Sequence, residues 1–303
     1  MKKISLLLTP LAFALSSCAL SIGGLAGSGS SCLSSSSSAS SYGSLNVGDH
    51  LRLGIYHNSR VSNKATIAEL EKTASNSTRF GTQAFLLDGV YYVQSVASPW
   101  ENIIKQKFHD GEEVVSGAAY WYRCEEIPWI VIAGSNGAYT LISECVLDSA
   151  IFGGASNNYA ESSIRNWLDL DFCSDAFLED ASSLYYSEID NSAPSTGDEK
   201  NPYACENTIE RAFLPSYKEL EELGWTNDLK GQAQCTDYVI AKGAYCDQDS
   251  YMGYGDKVAM YWTRSASSAD DKRVTCIMAE GSVMTSGYDS TGVGVRPCIH
   301  VKF

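Results

Sequence analysis

The residues able to do chemistry in this chain are few and widely spaced. Its four histidines, His50, His57, His109 and His300, have no second His or Cys at the spacing that metal ligation needs. His300 lies beside an apolar run near the end of the chain, the usual setting of a hydrogen-bonded structural histidine. No H-E-x-x-H, G-x-S-x-G, Walker loop or helix-opening G-x-G-x-x-G occurs. A Cys–His nucleophile would need contact between side chains that only folding could bring together. One stretch is rich in oxygen: Asp247, Asp249 and Asp256 surround Gly253 and Gly255. Calcium takes six to eight oxygens, so calcium is the metal this loop would hold if it holds one. The fifth position of an EF-hand-like loop would be Tyr251 and no terminal Glu is in register, so the motif is absent and a solvated turn is the competing reading.

Two arginines and three tryptophans read as scaffold. Arg264 and Arg296 could fork onto a ligand carboxylate or sugar hydroxyl. We expect them instead to pair with internal carboxylates such as Glu126 or Glu161 and pin helix to sheet. Trp129, Trp167 and Trp262 are expected in the core rather than as sugar platforms. Of ten cysteines, Cys18 and Cys32 precede the folded part, and eight lie between Cys124 and Cys298. No C-x-x-C is present, which argues for cystines or buried thiols over a metal or redox role.

These residues must be positioned by a mixture of strands and short helices. Segments 51–56, 84–87, 90–96, 120–124, 129–133 and 139–143 have strand character, with Asp88-Gly89 and Asn136-Gly137 as hairpin turns. Ile164, Trp167 and Leu168 fall at helical spacing and predict a helix over 160–170, with a second over 174–181. A short helix is also expected over 67–72. Ser216 and Glu219 form a capping box that starts a helix running to Leu223. Strands return at 260–264, 273–279, 282–285 and 294–302. The expected fold class is therefore α+β, with mainly antiparallel sheets and a few short helices.

The amino-terminal end sets the address. Lys2 and Lys3 precede an apolar stretch of signal-peptide length, closed by Leu15-Ser16-Ser17-Cys18. That phrase resembles a lipobox. The resemblance implies cleavage after residue 17, diacylation of Cys18, and a lipid anchor on the extracytoplasmic face of a bacterial cell membrane. Residues 18–45, almost entirely Ser, Gly and Ala, read as a flexible linker with a reach of roughly 30 Å. Residues 46–303 read as one extracellular domain, with 46–117 a candidate lobe. The net charge is −14, and loss of the two leader lysines takes it to −16. That acidity argues against nucleic acid and anionic lipid as partners.

A set of phrases in order carries a further likeness: Tyr120-Trp121-Tyr122-Arg123, Glu126-Ile127-Pro128-Trp129, Ser162-Ser163-Ile164-Arg165-Asn166-Trp167, Phe213-Leu214-Pro215-Ser216, Tyr261-Trp262-Thr263-Arg264-Ser265 and Gly294-Val295-Arg296-Pro297. Together they resemble a family of uncharacterised extracellular domains common on surface lipoproteins of Firmicutes. The terminal W-x-R-S and G-V-R-P phrases are more distantly similar to C-type-lectin-like folds, including the formylglycine-generating enzyme group. That group's close pair of reactive cysteines has no counterpart here, so the fold transfers and the chemistry does not. The resembled family carries no established activity, so the likeness speaks to architecture; the expected function is a lectin-like, non-enzymatic module that binds an extracellular glycan or protein. The alternatives are an envelope enzyme (formylglycine-type oxidation or glycan processing) and a structural surface protein. The long polar loop 191–207 and the loop 247–256 are the expected site, with Tyr203, Asn207, Tyr251 and Tyr254 as ligand-binding residues. No catalytic residue is assigned.

Overall fold

A computed structural model describes residues 44–74, 84–100, 105–177, 180–248 and 257–303. Cys18, Cys32, Asp249, Asp256, Tyr251 and Tyr254 lie outside the described residues, as does nearly all of the expected linker.

The first half builds most of one sheet. In chain order come β1 (His50–Arg60), α1 (Lys64–Ala74), β2 (Phe85–Leu87), β3 (Val90–Val96), β4 (Ala119–Ser135) and β5 (Ala138–Ser143). β4 pairs with β3 through its first half, with β5 through its second, and with β1 across the middle, all antiparallel. Turn chemistry sets two of these hairpins. Asp88 and Gly89 have φ of 50° and 78°, and Asn136 and Gly137 have 53° and 82°. Paired positive φ is the signature of the two-residue turn whose twist matches the flanking strands. The two strands expected at 120–124 and 129–133 are one continuous β4. Pro128 inside it removes a single donor, and the irregularity in β1 between Arg52 and Ile55 absorbs the mismatch.

The second half supplies β6 (Asp148–Ser149), α2 (Ser163–Trp167), α3 (Cys173–Ala176), β7 (Ser187–Ile189), β8 (Thr208–Glu210), β9 (Ala212–Phe213), α4 (Tyr217–Glu222) and α5 (Asp237–Lys242). Then follow β10 (Tyr261–Ala266), β11 (Arg273–Ile277), β12 (Val283–Gly287), β13 (Gly294–Val295) and β14 (Cys298–Lys302). A seven-stranded sheet runs β2-β3-β4-β5-β14-β9 with β1 on β4, and a five-stranded sheet runs β12-β11-β10-β13-β6. Only the β10–β13 contact is parallel among the described pairings of these sheets. The architecture is α+β, mainly antiparallel, with short helices.

Two segments depart from the periodicity. The strand expected over 294–302 is broken: β13 belongs to the smaller sheet and β14 to the larger. Pro297 cannot continue a ladder as donor, and the chain uses it to cross between sheets, its carbonyl accepting from Ser143 N (2.9 Å). The two helices expected over 160–170 and 174–181 are instead one helical run. Ser162 caps α2, a π-helical turn follows at Leu168–Phe172, and α3 ends at Ala176. The extra residue of the π turn turns Leu168 and Phe172 into the core together.

One large core takes side chains from both sheets, among them Trp129, Leu141 and Ile299 from the larger and Tyr261, Val274 and Ile277 from the smaller. A satellite cluster of Leu70, Phe85 and Trp121 seats α1. No helix of the described residues is long and apolar enough to cross a membrane.

Candidate ligand-binding site

The carboxy-terminal end of α5 forms one wall of an open cleft of about 470 Å³. Thr236 caps the helix start, its hydroxyl accepting from Val239 N at 3.2 Å. The helix stops at Gly243, whose φ of 102° favours glycine. A Cβ there would also lie 2.7 Å from Ser98 O. Ser98 N donates to Ala241 O (2.8 Å), one of the carbonyls a helix end leaves without an internal partner. The segment 98–100 is thereby pinned across the helix terminus. Trp100 lies against Gly292, where a Cβ would come within 2.4 Å of the indole. Ser149 Oγ donates to Thr291 O (3.3 Å) and ties β6 to the same rim.

The cleft walls therefore carry the half-buried Trp100, the exposed apolar Ile151, the hydroxyls of Ser98, Ser149 and Thr291, and the Lys242 ammonium. Lys242 Nζ is 5.6 Å from the centroid of the Tyr238 ring. Tyr238 meets His57 edge-on at 4.7 Å, and His57 stacks on Tyr56 at 4.3 Å. Tyr56 OH donates to Asp148 Oδ2 (2.7 Å), and Ser149 N donates to Asp148 Oδ1 (2.7 Å). A chain of aromatic and polar contacts thus leads from the buried Asp148 back to the lip.

The electrostatics behind the lip favour neutral groups. Burial pushes the Asp148 carboxyl up, opposed by the Tyr56 bond, the Lys242 charge and the Ser149 N–H. Burial pushes His57 down to about 4, with Lys242 adding to the effect. His57 Nδ1 and Tyr122 OH are sealed from solvent with no hydrogen-bond partner, although an edge of the His57 ring stays accessible. Cys124 is paired in register with His57 across β1 and β4, so a Cys–His juxtaposition does exist. Burial, followed by Asp175 and Glu125, pushes that thiol up to about 12. A protonated thiol beside a neutral imidazole is not an activated nucleophile.

At the other end of α5, Asp237 accepts from Arg60 N (2.9 Å), His109 N (2.8 Å) and the His109 ring (2.8 Å). Burial alone would raise this carboxyl, but His109 and the N–H donors hold it low. That cluster fixes the helix against β1 and leaves Lys242 at its free end.

The residues expected to bind ligand are placed differently. Asn207 spends its amide on Glu188 (2.7 Å) and accepts from Asn191 N (3.1 Å), closing the loop between β7 and β8. Tyr203 is half-buried, its N–H turned to Asn201 Oδ1 (2.9 Å). The 191–207 loop is fastened to β10 through Asn201 Nδ2, which donates to Ala266 O (2.8 Å). Asp247 is buried in another setting, its backbone bonded to Val258 and Lys257. Among the described residues no group of three or more His, Cys, Asp or Glu is placed to hold a metal ion.

Arg264 and Arg296 are scaffold, with partners other than those expected. Arg264 grips Glu219 bidentately (2.7 and 2.8 Å) and donates to Leu214 O. Arg296 donates to Ser143 O, Gly231 O and Tyr261 OH, with its guanidinium over Trp225 and Tyr261. Glu126 and Glu161 stay exposed. Trp262 is fully buried and donates to Ala150 O, and Trp167 packs on Phe172. Trp100 and Lys242 were not singled out by sequence reasoning. The available signal was Thr236-Asp237 followed by Gly243, a start and stop for the helix that presents Lys242.

No curated protein and no solved structure matches the chain. Residues 136–303, more than half of its length and including every cleft residue except those at 98–100, match a domain of unknown function, DUF6273, and the chain belongs to that family.

Proposed function

We propose that this chain is a surface lipoprotein, anchored through Cys18 to the outer face of a bacterial membrane, whose α+β domain binds an extracellular glycan in the cleft between Trp100 and Lys242. The observation that carries this reading is the Trp100 indole, held half-exposed against Gly292 beside three hydroxyls. A rigid aromatic face with adjacent hydroxyls suits a sugar ring, which has an apolar face and a polar edge. Behind the lip, His57 and Cys124 are held neutral rather than poised, which favours binding over catalysis. The likeness of the terminal phrases to C-type-lectin-like folds agrees with it.

The test is a glycan-array screen of the full chain beside Trp100→Ala and Tyr203→Ala, with and without calcium. Saturable binding should fall about 30-fold in Trp100→Ala, as loss of an aromatic anchor does, and persist in Tyr203→Ala. No binding by folded protein, or loss in Tyr203→Ala alone, would overturn the assignment. Loss on chelation would add calcium, with Asp247, Asp249 and Asp256 the residues to mutate next.

A further inference from the structure

We infer that the sugar this cleft takes is an acidic one, with a carboxylate directed at Lys242 while its ring lies on Trp100. The inference rests on the glycan reading above and adds the chemical class of the ligand. Among the described residues that line the cleft, Lys242 is the single charged side chain, and no carboxylate or carboxamide accompanies it. Sites for neutral sugars must accept many O–H donors. The lining side chains that can accept are three hydroxyls, and Ser149 Oγ, which spends its proton on Thr291 O, keeps only its lone pairs for a ligand. An ammonium brings three donors and no acceptor. That ammonium, with no carboxylate beside it among the described lining residues, is complementary to a ligand carboxylate.

Lys242 is also uncommitted. Among the described residues no carboxylate lies within ion-pair distance of it. Asp148, the buried carboxyl whose field reaches Lys242, uses both oxygens on Tyr56 OH and Ser149 N. The ammonium is steadied instead by the Tyr238 ring face and by the negative end of α5, which hold a cation without neutralising it. On a chain of net charge −14 the far field repels anions, so a lone cation in a cleft acts at contact range and serves selection.

The experiment compares oligosaccharides ending in glucuronate, galacturonate or sialic acid with their carboxyl methyl esters, by calorimetry on the full chain. At least one acid should bind roughly tenfold or more tightly than its ester, the scale of a charge-assisted hydrogen bond. Lys242→Met should bring that acid down to its ester, and Lys242→Arg should restore the preference. Unchanged thermal unfolding of Lys242→Met separates lost selection from lost fold. Equal binding of acid and ester, both lost in Trp100→Ala, overturns the acidic class while the glycan reading stands. If neither acids, esters nor neutral sugars bind the folded chain, both fall.

Discussion

At the scale of single residues, the chain separates groups that hold the fold from groups that face outward. Arg264 is buried and holds Glu219 at two points, while Glu219 also accepts from Ser216 N (2.8 Å) at the head of α4. Removing one partner strands a buried charge, so Arg264→Ala should lower stability by about 3–5 kcal/mol in urea unfolding. Trp100→Ala, at a half-buried rim position, should cost far less. The five free thiols among the described residues belong to the inward set. Burial pushes Cys124, Cys173 and Cys276 up to about 12, and raises Cys205 and Cys298 as well. A thiol of pKa 12 is thiolate at only about one part in 10⁴ at pH 8, so alkylation of native protein should leave these three unlabelled and label them after denaturation. Fast labelling of Cys124 in the native state would revive the Cys–His pairing with His57 as chemistry.

At the scale of elements, α5 decides whether the cleft exists. The disulfide Cys235–Cys246 closes just outside its two ends, Thr236 and Gly243, across a separation of 11 residues. Chain-entropy loss in the unfolded state puts such a loop at about 3 kcal/mol. A Cys235→Ala, Cys246→Ala variant should therefore unfold more easily by that amount, and lose ligand affinity before it loses the fold. Cleft binding that survives intact in the double variant would show that α5 is held by Asp237 and its partners alone. This helix was not drawn from the sequence because its six residues are too few for a helical period to stand out, although Thr236 and Gly243 offered a start and a stop. The hairpins at Asp88-Gly89 and Asn136-Gly137 and the capping box at Ser216 were legible, since each is a local requirement written in two to four residues. What could not be read is long-range: that Pro297 marks a change of sheet, that Glu219 and not Glu126 meets Arg264, and that Trp100 comes to rest on Gly292. Those contacts join residues 45 to 192 positions apart, and no local spacing encodes them.

At the scale of the whole molecule, two effects of acidification oppose one another. The chain is strongly acidic, with a sequence isoelectric point near 4.7, so self-repulsion alone would relax and stability would rise as pH falls toward that value. The buried histidines act in the other direction. Burial holds His57 at about 4, with Lys242 contributing, and burial likewise holds His300 at about 4. In the unfolded chain both return to about 6.5. Their contribution is therefore complete above pH 6.5 and is lost as pH falls from there toward 4, because only the unfolded state takes up protons in that window. Each imidazole is worth about 3 kcal/mol over the interval, a large share of a typical folding free energy. Asp148, raised by burial, gives part of this back as it protonates in the folded state, while Asp237, held low, withdraws its share only below its unfolded value near 4. The histidines should outweigh the surface term, since exposed charges are screened at ordinary ionic strength and buried imidazoles are not. Urea midpoints should accordingly fall between pH 7 and pH 4.5, and His57→Gln should flatten the fall by about half while lowering the plateau above pH 7 only modestly. A midpoint that rises toward the isoelectric point would mean that surface repulsion dominates, and that His57 and His300 are reached by water well enough to titrate normally.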